Sequence, residues 1–202
     1  MLQLSVPLIL ASSSPRRIQL LKQIGLSIET QPSNVAEEFN NAQTPSEIVK
    51  ELAKKKAESV AQTFHRGIII GADTIVVLEK EILGKPENSA EAVVMLQRLS
   101  GKTHTVFTGF ALVDVKTKIS YIDYEKTEVT FRELTRNEIQ AYVKTGSPLD
   151  KAGAYGIQDD FGAVFVKEIK GDYYTVVGFP LSKFYTSLKN FTRQLGYLQG
   201  EL

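Results

Sequence analysis

Gly67-Ile68-Ile69-Ile70-Gly71-Ala72-Asp73-Thr74-Ile75-Val76-Val77-Leu78 is an apolar, β-branched run interrupted by a single carboxylate. It reads as a buried strand, or as a strand with a break at Gly71. A carboxylate inside such a run has to be paired, metal-bound or raised in pKa. Each of those states suits a general base or a metal ligand. The plainer alternative is an Asp that caps a turn after Gly71. Gly71 and Ala72 take bulk away beside Asp73, which leaves room for a ligand. Shortly downstream, Gly84-Lys85-Pro86 ends a hairpin return, and Pro86 stiffens the backbone behind Lys85.

Upstream of that run, Thr44-Pro45-Ser46-Glu47 is a capping box with proline at the first helical position. It opens an amphipathic helix to about Phe64, with Ile48, Val49, Leu52, Ala53, Ala57, Val60, Ala61 and Phe64 on one face. At about 100° per residue, Lys56 lies about 40° from the centre of that face, and Lys54 and Lys55 about 120° or more away. Lys54 and Lys55 are therefore solvated. Lys56 points towards the protein, either as a snorkelling side chain at the edge of the stripe or as a cation held in a cleft.

Nearer the start, the apolar stretch 7–11 predicts a short buried strand that runs into Ser12-Ser13-Ser14-Pro15. Ser14 fits the N-cap and Pro15 the first turn of a helix. Ile18, Leu20, Leu21 and Ile24 continue it, and Gly25 ends it. Free N–H groups at a helix start favour an anion. Arg16 and Arg17 oppose the helix dipole there, at about 0.3–1 kcal/mol each. A phosphate would reverse that sign and gain bidentate contacts; a solvated arginine pair is the alternative. The loop lacks the glycines and lysine of a Walker motif.

The remaining segments predict helices over 90–99, 134–143 (Thr135 as N-cap) and 181–195. Strands are expected over 103–115 and 119–131. A hairpin is expected from 163–166 and 173–177 about Lys170-Gly171-Asp172. Residues 146–162, with four glycines, read as a structured loop. There, Gly153-Ala154-Tyr155-Gly156-Ile157-Gln158 lets backbone approach closely, and Gln158 offers paired groups that can read a base edge. Glu37 and Glu38 sit in a loop, as metal ligands or as a solvated pair. His65 and His104 read as structural or surface residues. Strands and helices mix without strict alternation, which makes a mixed α/β or α+β sheet protein.

At about 150 residues per domain, 202 residues predict one domain, with room for two lobes. Lys+Arg 24 against Asp+Glu 23 leaves a charge of +1, so no nucleic-acid partner is expected. The absence of cysteine excludes disulfides, zinc–thiolate sites and thiol catalysis. The start has no basic n-region, and no apolar run is long enough to span a bilayer. These features predict a soluble, cytoplasmic protein without a membrane partner.

Taken in order, several blocks resemble the Maf family of nucleotide pyrophosphatases. They are Leu10-Ala11-Ser12-Ser13-Ser14-Pro15-Arg16-Arg17, Gly71-Ala72-Asp73-Thr74, Gly84-Lys85-Pro86, Leu99-Ser100-Gly101-Lys102-Thr103-His104 and Asp150-Lys151-Ala152-Gly153-Ala154-Tyr155-Gly156-Ile157-Gln158. Gly171-Asp172-Tyr173-Tyr174 and Val177-Gly178-Phe179-Pro180-Leu181 extend the match, which covers nearly the whole chain as a single domain, 1–202. The resemblance implies an elongated two-lobed α/β fold like that of inosine triphosphate pyrophosphatases, with the active site in the central cleft.

The subfamily resembled hydrolyses dTTP and UTP to the monophosphate plus pyrophosphate with a divalent cation, Mg²⁺ or Mn²⁺. By that resemblance Asp73 is the proton acceptor. Arg16, Thr74 and Gln158 select the substrate. Ser12, Glu37, Lys56 and Lys85 complete the phosphate and metal sites, with Glu37 and Asp73 as metal ligands. After Gln158 the chain reads Asp159-Asp160-Phe161, one residue longer than the family pattern. The expected chemistry is attack of a metal-associated water on the α-phosphorus, in a monomer or homodimer. The rival expectation is a nucleotide-binding regulator of cell division in which turnover is incidental.

Overall fold

The computed structural model describes residues 2–38, 40, 42–158 and 161–201; Asp159 and Asp160, the longer loop noted above, lie outside the described residues. In chain order the elements are β1 (Leu2–Leu4), β2 (Leu8–Leu10), α1 (Pro15–Gln23), β3 (Ile28–Thr30), α2 (Pro45–Ala61), β4 (Ile68–Leu78), β5 (Glu81–Leu83), α3 (Ser89–Leu99), β6 (Thr103–Asp114) and β7 (Ser120–Phe131). There follow α4 (Arg136–Lys144), β8 (Val166–Lys170), α5 (Tyr173–Val177), α6 (Leu181–Gln194) and β9 (Leu198–Glu201). Three 3-10 turns, Ser147–Asp150, Ala152–Ala154 and Phe161–Phe165, shape the glycine-bearing loop. This is a mixed α/β protein. No helix among the described residues is long and apolar enough to cross a membrane.

The chain divides into two compact units: 1–73, 108–125 and 178–202 form the first, and 74–107 with 126–177 the second. In the first, β2 pairs in parallel with β3 on one side and with β4 on the other, with Leu8, Ile9 and Leu10 opposite Ile68, Ile69 and Ile70. Parallel strands buried on both faces read as unbroken apolar runs, which explains both tripeptides. On one side α2 packs Ala53, Ala57, Val60 and Ala61 against Ile9, Ile69, Ala111 and Val113. Phe110, at the next position of β6, meets Phe184 of α6 edge-on at 5.6 Å. The β1–β9 pair closes this unit antiparallel, Gln3 opposite Gly200.

In the second unit β4 turns back into β5, with Val77 opposite Ile82. The two-residue turn places Glu79 and Lys80 at φ 54° and 86°, the left-handed pair that suits strand twist. The core here is aromatic: Phe131 and Tyr155 lie 4.7 Å apart, and Tyr142 and Phe165 5.2 Å.

The capping boxes at Thr44 and Thr135 form as expected. Three local expectations need correction. α2 stops at Ala61, short of Phe64, where the Thr63 hydroxyl donates to the Val60 carbonyl at 2.8 Å and closes the last turn. Ser14 takes the N-cap position of α1 without a side-chain cap; the Ser12 hydroxyl instead accepts from the Ser14 N–H at 3.2 Å. The hairpin about Lys170-Gly171-Asp172 does not form. β8 pairs with β7, and Tyr173–Val177 is helical. Asp172 decides it, because its carboxylate accepts from both the Thr175 N–H at 2.6 Å and the Thr175 hydroxyl at 2.7 Å, satisfying donors at the helix start.

Candidate active site

Side chains two apart on a strand share a face, so Gly71 and Asp73 of β4 point the same way, towards α2. A Cβ on Gly71 would lie 2.0 Å from the Ala53 carbonyl oxygen and 2.9 Å from the Ala57 nitrogen. A Cβ on Gly109 of β6 would lie 2.4 Å from the Val49 carbonyl oxygen. The space that Gly71 leaves is therefore filled by helix backbone. It is not room for a ligand, as the sequence suggested. This close seating carries Lys56, between Ala53 and Ala57, onto Asp73.

The Lys56 ammonium donates to Asp73 Oδ1 at 2.6 Å and to Glu37 Oε1 at 2.7 Å. The Lys56 and Asp73 side chains are 9% and 7% exposed, whereas that of Glu37 is 49% exposed. Lys54 and Lys55 pair instead with Glu58 and Glu51 on the solvated side of the helix. Burial raises the Asp73 pKa above the usual carboxylate value; Lys56 and Arg17 pull it down, and the charge of Glu37 adds to the rise. The result is a carboxylate whose proton affinity sits above the ordinary range while it still faces two cations.

Ser12 and Arg17 form the wall behind Asp73. Arg17 Nη1 donates to the carbonyl of Ala72 at 3.0 Å and to the Ser12 hydroxyl at 3.4 Å, and Nε donates to the carbonyl of Gly178 at 3.1 Å. Burial lowers the Arg17 pKa, opposed by the nearby Asp73 charge. Arg17 is the residue the sequence reading passed over when it carried Arg16 forward. The signal lay in helical phase: Arg17 precedes the buried Leu20 and Leu21 by three and four residues and so shares their inward face. Arg16, one step round, is half-buried, as Arg17 is.

Thr74, Lys85 and Gln158 belong to the second unit. Thr74 is half-buried, Lys85 exposed. The loop that leads to Gln158 meets the residues next to Lys85: the Gly153 N–H donates to the carbonyl of Gly84 at 3.0 Å, and a Cβ on Gly153 would meet the Val76 side chain at 3.0 Å. At the end of that loop Gln158 Oε1 is buried with no hydrogen-bond partner among the described residues. His65 is exposed and His104 buried, in line with structural or surface roles.

Among the described residues no group of three or more His, Cys, Asp or Glu converges as a metal cage. Two carboxylates do converge on one cation, the Lys56 ammonium. Hard oxygen donors of that number suit Mg²⁺ or Mn²⁺, which take one or two carboxylates and complete their shell with water and substrate phosphates. The donor set of Glu37 and Asp73 therefore fits a divalent cation that arrives with a triphosphate.

A buried carboxylate with cations around it, beside a serine loop at a helix start, is an arrangement suited to phosphate chemistry. The Maf-like protein family matches residues 7–191. The chain belongs to the Maf family.

Within it, the dTTP/UTP pyrophosphatase of Bacillus cereus (strain AH820) is 52% identical over 184 residues, 91% of this chain and 95% of its own. The dTTP/UTP pyrophosphatase of Bacillus cytotoxicus is 51% identical over 183 residues, 91% and 94% respectively. A solved nucleoside-triphosphatase / dITP/XTP pyrophosphatase from Mycobacterium abscessus aligns over 94% of this chain and 96% of its own, at 13% identity and a TM-score of 0.44.

Proposed function

We propose that the chain hydrolyses dTTP and UTP to dTMP or UMP plus pyrophosphate, with Asp73 as the proton acceptor. The observation that carries this reading is the buried Asp73 carboxylate, raised in pKa by burial yet held by the Lys56 ammonium at 2.6 Å. A base is most effective when its pKa approaches the working pH, and burial moves Asp73 that way. Asp73 takes the proton of a water whose oxygen bonds to the α-phosphorus. The bond from the α-phosphorus to the bridging oxygen breaks, and the electron pair leaves with pyrophosphate.

Lys56 and Arg16 neutralise charge that builds on the phosphates. Ser12 is fixed by Arg17 at the start of α1, where free N–H groups favour an anion. Glu37 and Asp73 would hold Mg²⁺ or Mn²⁺, which when bound supplies charge neutralisation at the phosphates. Lys85, Thr74 and Gln158 enter through the family resemblance, Lys85 towards phosphate and the other two towards the base. The buried Gln158 oxygen supports that role: among the described residues it has no donor, and a uracil-type edge presents an N–H between two carbonyls.

Pyrophosphate release from a nucleotide panel, with and without Mg²⁺, tests the reading. dTTP and UTP should turn over much faster than dATP, dGTP or 7-methyl-GTP. Binding without release would favour a regulator, and preference for 7-methyl-GTP would overturn the roles of Thr74 and Gln158.

A further inference from the structure

His104 lies on β6 in the second unit, 2% exposed, and takes no part in the chemistry above. Its Nε2 is 2.8 Å from the Tyr155 hydroxyl, and its Nδ1 is buried with no partner among the described residues. The ring stands edge-on to Phe131 at 5.0 Å and to Tyr155 at 5.4 Å. A buried nitrogen without a partner is destabilising, and a phenyl ring would fill this aromatic pocket without that penalty. The imidazole is therefore not placed for packing alone. What it gains is one directed bond to the hydroxyl of Tyr155.

Tyr155 stands three residues before Gln158. It follows two successive left-handed residues, Gly153 at φ 70° and Ala154 at φ 60°. Alanine disfavours that conformation, so the bend must be held from outside. The neighbouring Gly156 N–H donates to the Tyr142 hydroxyl at 3.2 Å, and a Cβ on Gly162 would lie 2.5 Å from the Gly156 carbonyl oxygen. The chain that leads to Gln158 is thus fastened at two consecutive residues by two aromatic hydroxyls, one of which His104 orients.

We propose that His104 is a positioning residue for base selection: through Tyr155 it fixes the bend that aims the Gln158 amide. The inference rests on the base-reading role given to Gln158 above. A hydrogen-bonding site discriminates only as well as its donors and acceptors are held in place. Loosening the bend should weaken ground-state recognition of the base more than it slows the chemistry on the phosphate.

The test measures kcat and KM for dTTP and dCTP in five variants. His104→Phe and Tyr155→Phe should each lower the dTTP/dCTP ratio of kcat/KM at least fivefold, with KM for dTTP rising more than kcat falls. The double variant should be no worse than either single one, because both remove the same bond. His104→Gln places an amide near the position of Nε2 and should hold the ratio within twofold of the parent. Tyr155→Phe removes one oxygen only and keeps the test open if His104→Phe fails to fold. Gln158→Ala separates the two claims. If it collapses the ratio while both His104→Phe and Tyr155→Phe preserve it, the positioning role is wrong and base reading by Gln158 stands. If Gln158→Ala leaves the ratio unchanged, the base reading fails and this inference with it.

Discussion

In the first unit a buried carboxylate, Asp73, meets an ammonium at 2.6 Å. In the second a buried imidazole, His104, bonds Tyr155 through one nitrogen and, among the described residues, nothing through the other. The first cluster is charged and densely paired, Lys56 bridging two carboxylates while Arg17 braces the strand beside them. The second is neutral and aromatic, and burial lowers the pKa of His104 to about 4. Charge held in low dielectric suits phosphate and proton transfer, where small displacements change large energies. Neutral groups in a stiff aromatic frame suit the reading of a flat edge. Breaking either cluster should thus give a different phenotype: lost turnover in the first, lost selectivity or acid stability in the second.

The largest expected effect is Asp73→Asn, which keeps shape and removes the base. Pyrophosphate release should fall roughly 10²–10⁴-fold, while the thermal midpoint falls with the fold retained, because the buried Lys56 ammonium loses one of its two carboxylates and keeps Glu37. Activity within tenfold of the parent would remove Asp73 from its role.

Gly71→Ala comes next. Its methyl group would be driven 2.0 Å from the Ala53 carbonyl oxygen, so α2 must lift from the sheet. The cost should be about 3 kcal/mol or more in denaturant unfolding, with turnover lost as Lys56 moves away. An unchanged midpoint would mean that α2 is not seated on Gly71.

The lysine row sharpens the comparison within one helix. Lys56→Ala should lower kcat/KM on the order of 10²-fold. Lys54→Ala and Lys55→Ala, whose ion pairs are solvent-exposed, should leave stability within about 0.5 kcal/mol and activity unchanged. Equal losses at all three positions would contradict the burial pattern.

Acid unfolding probes the second unit. An unfolded histidine binds its proton near pH 6.5, whereas folded His104 does so only at about pH 4. Between those values the unfolded state holds more protons, so stability is lost as pH falls through that window, by on the order of 3 kcal/mol. His104→Gln should flatten this dependence in urea titrations at pH 7 and pH 4.5; an undiminished slope would assign it to other groups.

Much of this was legible in the residues. Asp73 stands out because a carboxylate in a β-branched run needs a partner, and Lys56 because helical phase separates it from Lys54 and Lys55. The capping boxes and the β6–β7 turn follow from local patterns, whereas the residues left open a break at Gly71 that β4 does not have. What escaped depends on neighbours distant in sequence. Gly71 reads as empty space until α2 is known to occupy it. β1 and β9 pair through backbone at opposite ends of the chain, so their side chains carry no signal. Asp172 looks like a turn residue, and only its bonds to Thr175 reveal a helix cap. Arg17 was hidden by its twin Arg16, although its spacing to Leu20 and Leu21 already marked it as the inward one.

The most direct test of the central claim is the pH dependence of kcat/KM for dTTP, compared between the parent and Lys56→Met, which keeps the side-chain stem. If Asp73 is the base, activity falls as pH drops through its raised pKa, so the acid limb lies above the ordinary carboxylate range. Lys56 holds that pKa down, and its removal should therefore move the limb to higher pH. A limb that stays at the same pH without the ammonium, in a variant that still turns over, would show that the titrating base is not the carboxylate Lys56 touches.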